Sequence, residues 1–165
     1  MANTFRSYLK FHNTEIEINC SDNLVLSIKK VQTHLSFLEN KLSKSVKLSL
    51  KNYLETGQIN RKQLVQQCNT SLFTEFQRSI FPPLLSQRDT LTYSDLSNLA
   101  FGSPNYARAI GNALNKNPFP FIIPCHLVIS SNSKNIGGFV MGRDIKQNLI
   151  KLEATRIKSK ERVNR

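Results

Sequence analysis

Residues 103–126 read Ser103-Pro-Asn-Tyr-Ala-Arg-Ala-Ile-Gly-Asn-Ala-Leu-Asn-Lys-Asn117-Pro-Phe-Pro-Phe-Ile-Ile-Pro-Cys-His126, a slim helical pattern running straight into a proline-bound thiol. Ser103 is a natural helix N-cap and Pro104 a natural first-turn residue. Ala107, Ile110 and Leu114 recur at i, i+3 and i+7 as one apolar face; Asn105, Arg108, Asn112 and Asn115 make the opposite, polar face. Ala109, Gly111 and Ala113 add little bulk, so another surface can come close to this backbone. Upstream, Thr92 with Asp95 three residues on caps a helix whose stripe is Leu96, Leu99 and Ala100, and Phe101-Gly102 turns the chain. A helix, a short turn and a slim helix with Asn and Arg outward read as a helix-turn-helix facing nucleic acid.

Downstream, Asn117-Pro118-Phe119-Pro120 cannot extend the helix, because two prolines fix φ and remove donors. The apolar run Phe121-Ile122-Ile123 would bury a cysteine as an inert small hydrophobe. Pro124 breaks that run just before Cys125, and the imidazole of His126 follows it. A thiol reacts as thiolate, so a nearby proton acceptor changes what Cys125 can do. Adjacent side chains normally diverge, which makes one bridging water an easier route from Cys125 to His126 than a direct bond. A third group should orient the imidazole, and Glu153 on a last helix over roughly 143–158 is the candidate. A nucleophile tethered about ten residues beyond a reading helix fits chemistry on a base taken out of its stack.

The net charge of +12 is spread over both halves: residues 1–83 carry 11 basic and 6 acidic side chains, residues 84–165 carry 12 and 5. This suits a polyanionic partner bound through its phosphates. Cys20, Cys68 and Cys125 are widely spaced and form no CxxC pair, so neither a zinc ribbon nor a dithiol site is encoded. No run approaches the ~18 apolar residues needed to span a bilayer, and the first residues have no apolar signal region. An intracellular protein with free thiols is expected, cytoplasmic or, in a eukaryote, nuclear.

Residues 5–28 alternate like paired strands around a polar His12-Asn13 turn, with Ile16, Ile18 and Cys20 on one face. Helical spacing of Val46, Leu50, Tyr53 and Leu54 predicts a helix within 31–55, stopped by Gly57. Glutamine-rich 58–71 reads as a linker, and Leu72–Phe81 as a short helix stopped by Pro82-Pro83. The expected architecture is therefore an α/β N-terminal domain (1–70), a mainly α C-terminal domain with a helix-turn-helix, winged-helix-like (71–158), and a basic tail (159–165).

The segment Asn117-Pro-x-Pro-x-x-Ile-Pro-Cys-His, preceded by Ala107-Arg108-Ala109-x-Gly111-x-Ala113, resembles the O6-alkylguanine-DNA alkyltransferases. So do Phe76-Gln77, the Thr92-Tyr93-x-x-Leu96 helix start and Leu149-x-x-Leu152-Glu153; the likeness covers residues 73–154. It implies DNA repair by displacement: Cys125 attacks the alkyl carbon on guanine O6, less readily thymine O4, and keeps the alkyl group, so each molecule acts once without cofactor or metal. By position, His126 takes the thiol proton through water, Glu153 orients it, Tyr93 donates toward the leaving guanine and Asn117 ties the helix to the active-site turn. Arg108 fills the gap left by the flipped nucleotide, with Ser103, Asn105, Asn112 and Leu114 also toward DNA. The partner implied is double-stranded DNA containing O6-alkylguanine, bound by a monomer through its minor groove.

Three positions depart from the family pattern. Leu127 stands where arginine usually follows the histidine. Ser86-Gln87-Arg88-Asp89 replaces a glycine-containing turn. Phe139-Val140-Met141-Gly142 replaces an aromatic-Ser-Gly-Gly run, so Val140 offers no hydroxyl to the alkylated oxygen. Pro120, Val140 and Met141 are the expected pocket residues. Two alternatives stay open: a non-repairing sensor of alkylated bases, against which Cys125 argues, and a helix-turn-helix transcription regulator, which leaves the Pro-Cys-His run unexplained.

Overall fold

The computed structural model describes residues 3–32, 38–132 and 135–163, with side chains through residue 156. Strands β1 (Phe5–Phe11), β2 (Thr14–Cys20) and β3 (Val25–Val31) form an antiparallel sheet in that order. Phe11 pairs with Thr14, leaving His12 and Asn13 as the turn, and His12 takes the positive φ of 51° that a two-residue hairpin requires. Period-two alternation puts Ile16, Ile18 and Cys20 on one fully buried face of β2. On the other face Glu17 is also buried, accepting from Tyr8 Oη at 3.0 Å and facing Lys29 Nζ at 3.2 Å.

Helix α1 (Lys41–Thr56) packs on β1 and β2. The predicted helix over 31–55 thus begins ten residues later than expected. The chain up to Val31 is strand, held by the pairing of Glu15 with Val31; residues 33–37 lie outside the described ones. Asn40 starts α1 with a capping box: its side chain accepts the Ser43 N–H while the Ser43 hydroxyl accepts the Asn40 N–H. Gly57 ends it at φ 73°.

The stretch read as a linker is ordered. It holds α2 (Arg61–Val65), and its backbone bonds to β3, with Val25 N–H donating to Gln67 at 2.7 Å and Asn69 N–H to Val25 at 2.8 Å. Its polar composition hides this, because only Arg61, Leu64 and Cys68 are buried. Helix α3 (Glu75–Leu85) runs through Pro82 and Pro83 instead of stopping before them. The carbonyls that the prolines leave without donors belong to Arg78 and Ser79, both exposed to water, while Phe81 and Leu84 carry the last turn into the core.

Strand β4 (Leu91–Thr92) leads into α4 (Tyr93–Phe101); a 3-10 turn at Pro104–Tyr106 and α5 (Ala107–Asn115) complete the helix-turn-helix. The Thr92–Asp95 capping box forms as read, and Gly102 caps α4 at φ 67°. The turn is pinned by Ser97, whose hydroxyl donates to the Ser103 carbonyl and accepts the Tyr106 N–H at 3.1 Å. Strand β5 (Val128–Ile129) pairs in parallel with β4 just past the thiol. Helix α6 (Arg143–Val163) stays helical five residues beyond the expected Lys158, into the basic tail. A mixed α/β N-terminal part thus joins a mainly helical C-terminal part. One buried cluster runs through both, from Ile16 and Leu50 through Leu84 and Phe119 to Leu149. Among the described residues no helix is long and apolar enough to cross a membrane.

Candidate active site

The end of α5 builds the site. Asn117 N–H closes the helix on Leu114 O at 3.1 Å, and Gln77 Nε2 reaches from α3 to Ala113 O at 3.0 Å. The Asn117 side chain then organises the turn that follows. Its Oδ1 accepts the Phe119 N–H at 3.0 Å, and its Nδ2 donates to Ile123 O at 3.2 Å and to Cys125 Sγ at 3.1 Å. Phe121 sits at φ 74°, an unusual conformation for an aromatic residue, and its carbonyl is held by Arg61 Nε at 3.1 Å. Residues 125–127 form a single 3-10 turn, which sets Cys125 and His126 in different directions.

Cys125 borders a cavity of about 250 Å³, small for a drug-sized ligand. Gly111, Leu114 and Asn115 of α5, Tyr93 at the start of α4, and Gly138, Phe139 and Val140 of the following loop form its other walls. Tyr93 is framed by two glycines. A Cβ on Gly137, at φ 79°, would lie 2.8 Å from Tyr93 Oη, and one on Gly111 would lie 3.7 Å from the ring.

Burial pushes the Cys125 thiol up to about 11, against the opposing pull of the Asn117 hydrogen bond and the Lys146 charge. The resting sulfur is therefore a thiol. Lys146 is fully buried and donates to Val128 O at 2.6 Å and Gly138 O at 3.0 Å; burial lowers it to about 8, partly offset by the neighbouring Cys125. Cys20 and Cys68 are also buried, and burial raises them to about 11 and about 12. What separates Cys125 from these two is the cavity, the amide donor and the nearby ammonium, not its pKa.

Behind Cys125 a buried polar network joins the two halves of the chain. Tyr53 Oη, from α1, donates to Glu153 Oε1 at 2.7 Å and lies 3.1 Å from His126 Nε2. Arg61 from α2 also bonds Glu153 Oε1, and Arg156 lies 3.4 Å from Oε2. Burial alone would raise Glu153, but the His126 bond and the Arg61 charge bring it down to about 2. An ionised carboxylate only accepts, and the one phenol proton is committed to it, so His126 Nε2 must carry a hydrogen to meet Tyr53. Nδ1 is then the unprotonated nitrogen, and it is buried with no protein hydrogen-bond partner. Burial lowers His126 to about 4, with the Glu153 bond opposing, so the imidazole is neutral at pH 7.

The expected site residues fall into three groups. Cys125, Asn117, Tyr93 and Leu114 meet around the cavity, and His126 and Glu153 stand together behind it, 3.5 Å apart with Tyr53 bridging. Arg108 and Asn112 are exposed on the outer side of α5 and Asn105 is exposed in the 3-10 turn before it, while Ser103 is spent capping that turn. Of the expected pocket residues only Val140 borders the cavity. Pro120 is buried in the turn and Met141 is packed into the core at 1% exposure, so Gly138 and Phe139 stand where these were expected. Leu127 is buried as well, and Glu153 takes its guanidinium contacts from Arg61 and Arg156. Sequence reading missed Tyr53, Arg61 and Lys146. Their only local signal is a polar or charged residue in phase with an apolar helical stripe, as Tyr53 is with Val46 and Leu50.

Residues 85–155 match the family model described as "6-O-methylguanine DNA methyltransferase, DNA binding domain". A methylated-DNA–protein-cysteine methyltransferase of Methanosarcina acetivorans is 42% identical over 84 residues, 50% of this chain and 53% of that protein. One from Kluyveromyces lactis is 38% identical over 52% of this chain and 46% of its own length. The chain thus spans about half the length of the curated relatives it matches. Among solved structures, the O6-methylguanine-DNA methyltransferase of Pyrococcus kodakaraensis superposes with a TM-score of 0.68 at 19% identity, covering 92% of this chain and 99% of that one. Mycobacterium tuberculosis OGT in complex with DNA gives 0.69 at 20% identity, covering 92% and 93%. Residues 85–155 are therefore similar to the DNA-binding domain of the 6-O-methylguanine DNA methyltransferases, and the chain as a whole has the fold of these methyltransferases.

Proposed function

We propose that the chain repairs double-stranded DNA by moving an alkyl group from guanine O6, less readily thymine O4, onto Cys125 in a single turnover. The observation that carries this reading is a buried thiol held by Asn117 at a small cavity between Tyr93 and α5, with a neutral imidazole beside it in sequence. The slim outer face of α5 enters the minor groove, the damaged nucleotide swings into the cavity, and Arg108 occupies the gap in the stack. Cys125 Sγ bonds to the alkyl carbon as that carbon's bond to O6 breaks. The thiol proton passes through water to His126 Nδ1, and Tyr93 Oη gives a proton to the guanine ring, so no bare anion is expelled. The charge that gathers on the imidazole is met by Tyr53 and Glu153, and Lys146 favours the sulfur's negative charge during attack. The product thioether is not hydrolysed, so each chain reacts once, as a monomer, in the cytoplasm or, in a eukaryote, the nucleus.

Incubation with DNA containing O6-methylguanine, followed by digestion and peptide mass measurement, tests this. At most one methyl per chain, on the Cys125 peptide, is expected. Binding of damaged DNA with Cys125 unmodified would make the protein a sensor of alkylated bases. Tight binding to one sequence without preference for damage would make it a regulator.

A further inference from the structure

A second cavity, of about 650 Å³, lies between α1 and α2, the end of α3, and α6, and shares no wall with the Cys125 cavity. Four cations line it from three parts of the fold: Arg61 and Lys62 on α2, Arg88 after α3, and Arg156 on α6. No carboxylate lines it, and apart from Ile59 and Leu85 the rest of the wall is amide and hydroxyl side chains.

Charge within this cavity is not balanced by the protein. Among the described residues Glu153, beneath the wall, is the single carboxylate paired with these cations, and it is shared by two guanidinium groups, Arg61 and Arg156. Among the described residues Lys62 and Arg88 make no ion pair. The Arg156 side chain is 10% exposed, and its Nε is inaccessible and without a hydrogen-bond partner. Guanidinium groups present donors in a fixed fork that matches phosphate oxygens. A volume of this size exceeds one phosphate and suits a ligand carrying several anionic oxygens beside polar groups.

We infer that this cavity is an anion site for a phosphate-bearing ligand, coupled to the active site because Arg61 and Arg156 serve both. A phosphate drawing on either arginine competes with Glu153, and what shifts one site must shift the other reciprocally. The binding claim stands on the cavity alone; the coupling rests on reading Glu153, Tyr53 and His126 as one network.

Inorganic pyrophosphate titrated into the full chain at constant ionic strength, followed by NMR of the arginine side chains and the His126 ring, is the test. Saturable binding with a Kd of about 1 mM or tighter is expected. The double variant Lys62→Ala/Arg88→Ala, which leaves Glu153 untouched, should weaken it roughly tenfold or more. The His126 ring resonances should follow the same curve in the unaltered chain. Displacement of pyrophosphate by a short undamaged oligonucleotide would identify nucleic-acid backbone as the source of the phosphate; no displacement would assign a free phosphorylated molecule. Shifts reproduced by chloride alone, or equal binding by the double variant, would overturn the site, and saturable binding with a still His126 would overturn the coupling. A chain that transfers no methyl but passes this titration leaves the site standing.

Discussion

At Cys125 the physics pulls in two directions: burial protects the proton on sulfur, while the proposed transfer needs it gone. With the thiol at about 11 and His126 at about 4, neither prior ionisation nor a protonated imidazole is available near neutral pH. The proton must move to the neutral imidazole as sulfur attacks. The single-turnover methyl-transfer rate should then be level between about pH 6 and 7 and ease toward pH 8 as Lys146 loses its proton; a tenfold climb per pH unit would mean that thiolate forms first and His126 takes no part. Tyr53→Phe keeps the ring in its fully buried slot but removes the oxygen that fixes the His126 tautomer. The rate should fall about tenfold with unchanged affinity for damaged DNA, and the ¹⁵N shifts of the His126 ring should report a mixture of tautomers. An unaltered tautomer would show that Tyr53 only packs.

At the scale of elements, α5 and the loop at 137–142 divide the labour in the proposed reaction, α5 to meet the duplex and the loop to wall the cavity. Arg108, exposed on the outer face of α5, matters only if a stack has to be refilled. Arg108→Ala should therefore slow repair of duplex DNA more than reaction with free O6-methylguanine, and equal losses on both would remove the finger role. In the loop, Gly137→Ala meets Tyr93 Oη at 2.8 Å and strains a positive φ, whereas a Cβ on Gly138 meets nothing within 4 Å. The first should cost both melting temperature and transfer rate, and the second should leave the melting temperature near its starting value. The elements legible in the sequence were those whose signals are local: the Thr92–Asp95 cap, the Ser103-Pro104 start, the i, i+3, i+7 face of α5 and the Asn117-to-His126 turn. Those misread depend on contacts far along the chain. Pro82 and Pro83 sit inside α3 because Phe81 and Leu84 reach the core, and the polar stretch at 58–71 is ordered because Arg61 finds Phe121 and Glu153 across the fold.

For the molecule as a whole, Glu153 is the point where the two halves meet, receiving Tyr53 and Arg61 from one and His126 and Arg156 from the other. Taking away its charge leaves buried guanidinium groups without a counter-ion, so Glu153→Gln should cost about 3 kcal/mol or more at pH 7, read from urea midpoints. The same network sets the response to acid. His126 protonates near 6.5 when unfolded but only near 4 when folded, so the unfolded chain takes up that proton first and stability falls as pH drops from 6.5 toward 4. Glu153 is held at about 2 against 4.5 when unfolded; its contribution is complete above 4.5 and is lost as pH falls toward 2. Urea midpoints taken stepwise from pH 7 to 3 should show the unaltered chain weakening through both windows. The Glu153→Gln chain should start lower and lose less below pH 4.5, where it has no carboxylate left to protonate at that position. Parallel losses in the two chains below 4.5 would place the acid-sensitive group elsewhere and deny Glu153 its part in joining the halves.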